Sequence, residues 1–366
     1  MKVSVVMRGG SLSGGGGAER RFARVAQEAR RKGYEVVLIV NRELAEGLNR
    51  AQIIETDDPM LCTPPSKLSV IAFNQWLVRT VRELKPDIIH LPLIQRSLIP
   101  FYAWLGVYSA LPVVQTIATS QLMDRREKTD QRLLVHFLMQ RATLVDVLYP
   151  RFSETMWAQR YGHKIRVSPC SFTDYDLFWP SSCKENIILY AGRFIPEKNP
   201  MLLVSAVELL LTQDEQCLSD WQVMMMGDGP LRATVEIAVA SRNLKEKVVV
   251  RSSPYLVELM RKASIFVSLQ ATENYPSQSL LEAMACEAAI IATDVGDTGL
   301  LVTNDIGLRI PPQKDALAEA IARLVENSDI RRAMGVRARQ RVMSEHTIER
   351  FTQYIIDLWR EVASVS

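Results

Sequence analysis

Two carboxylates, Glu273 and Glu282, flank the predicted start of a helix, and their spacing is typical of a ligand site. An apolar run over residues 263–269 predicts a strand before the helix, Ser277 and Ser279 are candidates for its N-cap, and residues 288–292 predict the next strand. Ligands of parallel sheets lie beyond the carboxyl ends of the strands. We therefore expect Glu273 beside a ligand and Glu282 about two turns further along the helix.

Two cations follow another predicted strand, in residues 190–200 (YAGRFIPEKNP). The strand ends at Gly192 and Arg193, and Lys198 comes five residues after the arginine, just before a predicted helix. A guanidinium can donate two hydrogen bonds to one phosphate, while an ammonium provides a point charge for the next. The pair predicts a diphosphate site that needs no metal. The alternative is two surface cations in a loop.

Glycines follow two further predicted strands. Gly15, Gly16 and Gly17 stand between the first strand and the first helix, where backbone N–H groups can approach a phosphate or a sugar. Gly227 and Gly229 follow an apolar run, which indicates that the backbone passes close to another group. Both stretches fit either contacts with a ligand or plain tight turns, and the sequence leaves these interpretations open.

Apolar runs alternate with helical patterns along the chain, which is the rhythm of parallel α/β domains. Residues 168–186 interrupt this rhythm with a stretch rich in Ser, Pro and Asp, typical of a linker. The sequence therefore predicts an α/β fold of two Rossmann-like domains, residues 1–175 and 184–346. Residues 347–366 predict an amphipathic helix, which either caps the second domain or packs back on the first.

The composition excludes several other classes of protein. With 366 residues, 48% apolar residues and a formal net charge of +3, the chain is typical of globular domains and not of disordered segments. Its five cysteines and four histidines are dispersed without metal-ligand spacing, so we expect no metal, no cofactor and no disulfide framework. The first residues lack the pattern of a signal peptide, which predicts a cytoplasmic protein. We expect no nucleic-acid partner.

Two segments raise the question of a membrane. Residues 97–123 contain no charged residue, but Pro100, Gly106 and Pro112 interrupt them, which favours a buried helix leading into a central strand over a membrane span. Residues 1–50 contain ten basic residues and five glutamates, a local net charge of +5. Such an excess is typical of a solvated helix face. The alternative is peripheral contact with the inner face of a membrane, or contact with an anionic acceptor.

Five motifs share their order with one enzyme family: GGGGAER, KPDIIH, YAGRFIPEKNP, MMMGDGP and ENYPSQSLLEAMACEAAIIATDVGDTG. They resemble the motifs of the retaining GT-B glycosyltransferases of the glycosyltransferase family 4 kind. The resemblance spans nearly the whole chain and is most specific in the second half. It implies two Rossmann-like domains that face each other across a cleft, with a nucleotide-diphosphate sugar bound mainly by the second domain.

The resemblance also implies roles for individual residues. Arg193 and Lys198 match the pair that binds the donor diphosphate. Glu282 matches the glutamate that holds the ribose hydroxyls, and Glu273 matches the glutamate near the donor sugar. The loop residues expected to contact the sugar and the diphosphate are Asn274, Tyr275, Pro276, Ser277 and Gln278. The glycines expected at the donor are Gly15, Gly16, Gly17, Gly192, Gly227 and Gly229.

The sequence departs from the family pattern at three places. Eight residues separate Glu273 from Glu282 where the common pattern has seven, so either the loop bulges or Asn274 takes the place of the first acid. Glu287 stands where a glycine normally follows the Ala-Cys pair. Residues 113–121 lack the histidine that often follows the fourth strand of the first domain.

The resemblance predicts a retaining, metal-independent glycosyltransferase in the synthesis of a cell-envelope polysaccharide or lipopolysaccharide. Its expected partners are a nucleotide-sugar donor and a glycan, lipid-linked or small-molecule acceptor. In such a reaction Arg193 and Lys198 stabilise the leaving diphosphate, and the leaving phosphate can itself take the acceptor's proton. The alternatives are an epimerase or phosphorylase of the GT-B kind, and a non-catalytic partner that binds nucleotide sugars.

Overall fold

The structure is a computed structural model, and it describes residues 1–9, 17–50, 53–55, 57–117, 129–252, 256–273 and 275–365. The chain divides into two compact units. The first unit comprises Met1–Ser171 together with Ile348–Ser366, and the second comprises Phe172–Thr347. The amphipathic pattern at residues 347–366 thus corresponds to a helix of the first unit.

The first unit is built on a seven-stranded parallel sheet with the order β3-β2-β1-β4-β5-β6-β7. Its strands are β1 (Lys2–Met7), β2 (Glu35–Val40), β3 (Leu61–Cys62), β4 (Ile88–Leu91), β5 (Val113–Ile117), β6 (Leu144–Val147) and β7 (Ile165–Val167). Its helices are α1 (Gly17–Arg31), α2 (Arg42–Arg50), α3 (Val70–Leu84), α4 (Ile99–Tyr108), α5 (Thr129–Arg141), α6 (Met156–Tyr161) and, after the second unit, α14 (Ile348–Val365).

The second unit repeats the same architecture with a six-stranded parallel sheet, in the order β10-β9-β8-β11-β12-β13. Its strands are β8 (Glu185–Ala191), β9 (Gln222–Met226), β10 (Val248–Arg251), β11 (Ala263–Ser268), β12 (Ala289–Thr293) and β13 (Gly307–Ile310). Its helices are α7 (Pro200–Gln213), α8 (Arg232–Ser241), α9 (Leu256–Lys262), α10 (Gln278–Ala285), α11 (Thr298–Leu301), α12 (Lys314–Glu326) and α13 (Ser328–Glu345).

The central strand β8 is apolar over Ile187–Ala191 without alternation, because both faces of its sheet are covered. In β8, Ile188 and Tyr190 pack on one face, while Leu189 and Ala191 pack on the other. In both sheets the strand order reverses next to the first strand of the unit, between β1 and β4 and between β8 and β11. Such a reversal opens a crevice at the carboxyl ends of the strands. The predicted α/β fold of two Rossmann-like sheets is confirmed.

A row of polar side chains connects α14 to the first sheet by hydrogen bonds. The Trp359 indole donates to His90 Nδ1 (3.0 Å), and the opposite His90 nitrogen lies 2.9 Å from the Thr116 hydroxyl. Thr116 and Tyr354 both donate to the Asp146 carboxylate, at 2.9 and 2.7 Å. Burial lowers the pKa of His90 to about 3, so the ring is neutral at pH 7 and can accept from the indole.

The uncharged segment 97–123 forms α4 and β5, and residues 118–123 lie outside the described residues. β5 is fully buried between β4 and β6, as the pattern predicts. α4 differs from the predicted buried helix, because Val107 is 69% exposed and Tyr108 is 77% exposed. None of the helices in the described part of the chain is long and apolar enough to cross a membrane.

Candidate active site

The second unit brings two loops together where its strand order reverses. One loop follows β8 and carries Arg193 and Lys198, and the other follows β11 and carries Glu273. The Ala271 amide donates to the Glu197 carbonyl at 2.9 Å, so the two loops are in direct contact. Arg193 and Lys198 therefore lie along the same edge of the sheet as Glu273, which is remote from them in sequence, and parallel α/β proteins bind ligands at this edge.

The backbone between Arg193 and Lys198 is held by a buried tyrosine. The Tyr190 hydroxyl lies 3.3 Å from the Arg193 carbonyl and 3.1 Å from the Lys198 carbonyl, at both ends of the loop. A short 3-10 turn over Pro196–Lys198 follows, and Asn199 has the positive φ of 43° before α7 begins. This role of Tyr190 was not predicted from the sequence, because a strand pattern does not show which hydroxyl bonds to the loop that follows.

The two cations of this loop form an anion-binding arrangement. Arg193 is exposed and Lys198 is half-buried. Burial and, to a smaller extent, the Arg193 charge lower the pKa of Lys198 to about 8. Among the described residues, neither the guanidinium nor the ammonium has an ion-pair partner. The Glu197 carboxylate acts on Lys198 through space but forms no ion pair with it. Two neighbouring cations beside one carboxylate keep a positive balance, which favours an anionic ligand.

Gly227 and Gly229, which follow β9, pack against the backbone of the loop after β8 that carries Arg193. The Gly192 amide donates to the Met226 carbonyl (3.0 Å). A Cβ at Gly227 would lie 1.9 Å from the Gly192 carbonyl oxygen, and one at Gly229 would lie 2.6 Å from the Phe194 carbonyl oxygen. The group that these glycines approach is therefore the neighbouring backbone. Their effect is to let the loop with Arg193 pack closely, and a direct donor contact stays a prediction.

The Glu273 carboxylate ties the loop after β11 to the loop after β12. One oxygen accepts from the Tyr275 amide (2.9 Å) and the other from the Asp297 amide (2.6 Å). Gly296, with a φ of +54°, makes room, because a Cβ there would lie 1.6 Å from a Glu273 carboxylate oxygen. Gly296 was not predicted as a site residue from the sequence. The structure gives Glu273 a positioning role, and its contact with a sugar stays a prediction.

Helix α10 begins directly after this loop. Ser277 occupies the predicted N-cap, but its side chain makes no capping hydrogen bond and lies 3.4 Å from the Ser279 hydroxyl. Pro276 and Ser277 are buried, and the Gln278 amide donates to the Phe172 carbonyl at 3.4 Å. Glu282 is also buried, with 8% of its surface exposed, as expected for a carboxylate within a site rather than on a solvated face.

The departure at Glu287 has a conformational explanation. Its φ is +59°, in the left-handed region where glycine costs least, and this position is a glycine in the resembling family. Arg339 lies 3.8 Å from the Glu287 carboxylate. The fold therefore keeps the turn after α10 although the residue that suits it best is absent.

Some of the predicted site residues lie outside the part of the chain that the structure describes. Gly15, Gly16 and Asn274 lie outside the described residues, and Gly17 begins α1. No cluster of three or more metal-ligating side chains occurs in the described ranges. The basic residues of 1–50 are partly ion-paired, as a solvated face would be. These pairs are Lys2–Glu35, Arg30–Asp58, Arg31–Glu28 and Arg42–Glu46.

Two family models match the chain and together cover both units. Residues 15–171 match Glycosyltransferase Family 4, and residues 177–341 match Glycosyl transferases group 1. Two parallel sheets of this topology define the GT-B class. The chain belongs to the GT-B glycosyltransferases of the glycosyltransferase family 4 kind.

Known relatives match about half of the chain. The GalNAc-alpha-(1->4)-GalNAc-alpha-(1->3)-diNAcBac-PP-undecaprenol alpha-1,4-N-acetyl-D-galactosaminyltransferase of Campylobacter jejuni is 26% identical over 52% of this chain and 53% of its own length. The alpha-D-kanosaminyltransferase of Streptomyces kanamyceticus is 24% identical over 48% of this chain and 46% of its own length. The chain thus spans about half the length of these curated relatives.

Solved structures match over their full length and show the fold. Anabaena Alr3699/HepE, solved in complex with UDP-glucose, has a TM-score of 0.80 at 17% identity, covering 99% of this chain and 100% of that chain. Sucrose-phosphate synthase from Thermosynechococcus elongatus has a TM-score of 0.77 at 18% identity, covering 100% of both chains.

Proposed function

We propose that this protein transfers a sugar from a nucleotide-diphosphate sugar to an acceptor hydroxyl, with retention at the anomeric carbon and without a metal. The observation that carries the proposal is the cation pair of Arg193 and Lys198. Both lie in the loop after β8, at the reversal of the strand order, and the nearby Glu197 carboxylate forms an ion pair with neither of them. A diphosphate supplies the two adjacent negative charges that such a pair favours.

The same pair gives a chemical reason for catalysis. When the bond between the anomeric carbon and the diphosphate breaks, its electron pair leaves with the phosphate oxygen and the sugar becomes oxocarbenium-like. Arg193 and Lys198 stabilise that developing charge from fixed positions, so they contribute more to the transition state than to the bound donor. The acceptor oxygen then attacks the same face, and its proton passes to the departing phosphate oxygen. No separate protein base is required.

The two glutamates complete the proposed donor site. The buried Glu282 accepts hydrogen bonds from the ribose hydroxyls, and Glu273 keeps the sugar-binding loop in place through the amides of Tyr275 and Asp297. The acceptor is a glycan or lipid-linked glycan of the cell envelope. The Campylobacter relative, whose name specifies an undecaprenol-diphosphate-linked glycan, supports this class of acceptor.

The proposal is tested by incubating the purified protein with a panel of UDP-, GDP- and ADP-sugars in EDTA and measuring the release of the nucleotide diphosphate. Arg193→Ala is expected to reduce release by about two orders of magnitude. Arg251→Ala is the matched control, since Arg251 is an exposed arginine at the end of β10 in the same sheet. We expect this control to release nucleotide at the normal rate.

Three outcomes would contradict the proposal. The first is that no nucleotide sugar is turned over or raises the melting temperature. The second is that Arg193→Ala and Arg251→Ala behave alike. The third is loss of activity in EDTA that Mg²⁺ restores, which would remove metal independence. Retention is read from the anomeric configuration of the product by NMR, and an inverted product would refute it.

A further inference from the structure

Helix α4 presents an uncharged, exposed side. Ile99, Ala103 and Val107 recur every four residues and are all exposed, and Tyr108 extends the exposed side at the end of the helix. We call these four residues the α4 face. A hydrophobic side chain exposed singly needs no explanation, but a stripe along a helix without one charged residue does.

The α4 face is displayed by a well-anchored helix. Phe101, Tyr102 and Leu105 bury the opposite side in the core of the first unit. The Arg141 guanidinium donates to three carbonyls at the end of the helix, those of Leu105 (2.6 Å), Ser109 (3.0 Å) and Leu111 (2.8 Å). These bonds satisfy carbonyls that the helix end leaves open. The exposure of the α4 face is thus a property of the packed structure.

The surroundings of the α4 face are basic. Arg82 of α3 lies over the half-buried Trp104 ring of α4, 5.5 Å from its centroid. The exposed charged residues of α3 and its C-cap are Arg79, Arg82, Glu83 and Lys85, which give a local net charge of +2. Leu133 of the neighbouring α5, 65% exposed, adds a further apolar side chain. An apolar stripe with an adjacent aromatic ring and basic flanks matches the chemistry of an anionic bilayer surface.

We propose that the α4 face binds the surface of a membrane containing anionic phospholipids. Val107, Tyr108 and their neighbours enter the boundary between headgroups and acyl chains, while the cations of α3 contact lipid phosphates. In the sequence analysis, membrane contact of the basic residues of 1–50 was the alternative to a solvated face, and the present proposal concerns a different surface, on α4 and α3. Membrane binding by the α4 face goes beyond the proposed transfer reaction, since this face contains none of the residues of the candidate donor site.

The full-length protein is tested by co-sedimentation with vesicles of equal parts phosphatidylglycerol and phosphatidylcholine, and with vesicles of phosphatidylcholine alone. We expect binding to the anionic vesicles that weakens with added salt, because the electrostatic part is screened. Val107→Glu is expected to lower the affinity by about tenfold or more, the scale of one buried aliphatic side chain. Ile237→Glu is the matched control, because Ile237 of α8 is also 69% exposed and lies in the second unit.

The outcomes separate this proposal from its competitors. Equal binding of the wild type and Val107→Glu, or absence of binding to either vesicle, would overturn it. Equal binding to both vesicle types would refute the anionic class of lipid. Self-association that Val107→Glu abolishes, without vesicle binding, would assign the α4 face to a second copy of the chain. Nucleotide release by Val107→Glu reports the transfer reaction separately, and we expect it to stay normal.

Discussion

Lys198 and Lys184 are half-buried lysines whose pKa values are both about 8 but whose surroundings differ. The Lys184 ammonium donates to the carbonyls of Arg261, Ala263 and Cys286, at 3.0, 2.7 and 2.6 Å. The Lys198 ammonium donates no hydrogen bond to any described residue. The fold fixes the Lys184 ammonium by hydrogen bonds, whereas the Lys198 ammonium keeps its donors available for a ligand and is opposed only through space by the Glu197 carboxylate.

We expect Lys198→Met to stabilise the protein without donor and to slow turnover. A pKa lowered from 10.5 to about 8 corresponds to about 3 kcal/mol, and partial exposure reduces the effect to about 1–2 kcal/mol. The folded pKa lies below the unfolded one, so this cost is present at pH 7 and disappears as the pH rises through 8 toward 10.5. Methionine keeps much of the packing of the stem and removes the charge. Turnover should fall by about two orders of magnitude or more.

The assay combines urea unfolding at pH 7 with the release of nucleotide diphosphate. Lys184→Met is the control, and it should have the opposite signature. Three buried carbonyls lose their donor, so the free energy of unfolding falls by roughly 1–3 kcal/mol while turnover by the folded protein is unchanged. A Lys198→Met variant that is no more stable than the wild type and turns over normally would refute the functional interpretation of the cation pair.

Three further predictions follow from the same region. Gly227→Ala should lower the melting temperature and the turnover together, because its Cβ would meet the Gly192 carbonyl oxygen at 1.9 Å, and a normal melting temperature would contradict this packing. The value of kcat/KM for the donor should fall as the pH rises through about 8, where Lys198 loses its proton. Lys198→Arg should shift this alkaline limb of the pH profile to higher pH. A limb that does not shift would belong to the titration of another group. Glu287→Gly should raise the free energy of unfolding by about 1 kcal/mol by relieving the left-handed φ of +59°, and unchanged urea unfolding would show that the turn carries no strain.

The sequence predicts those parts of the fold whose pattern is local. Residues 36–40 form an uninterrupted apolar run, and the structure has β2 at Glu35–Val40. The two-residue β3 (Leu61–Cys62) and the short β13 (Gly307–Ile310) were not predicted, because so few residues carry no recognisable period. The exposed side of α4 was not predicted, because the sequence of a helix that is apolar on every side does not show which side is buried.

The candidate site divides in the same way. The types and spacing of Arg193 and Lys198 indicate an anion site from sequence, because the chemistry of the two side chains is sufficient. The contacts that place them are not visible in the sequence. The Tyr190 hydroxyl bonds are local, but a strand pattern does not show which way a hydroxyl turns. The approach of Gly227 to Gly192 is long-range, because the two glycines are more than thirty residues apart along the chain. The bonds of Glu273 to backbone amides were likewise not predictable.

The place of α14 has a consequence for biosynthesis. The second unit is one continuous stretch, Phe172–Thr347, whereas the first needs Ile348–Val365 to cover His90 and Asp146. During translation, the residues of the N-terminal sheet that α14 covers stay exposed until the second unit and α14 have been synthesised. The first unit therefore cannot be completed before the second has been synthesised, and we expect the later unit to be able to fold first.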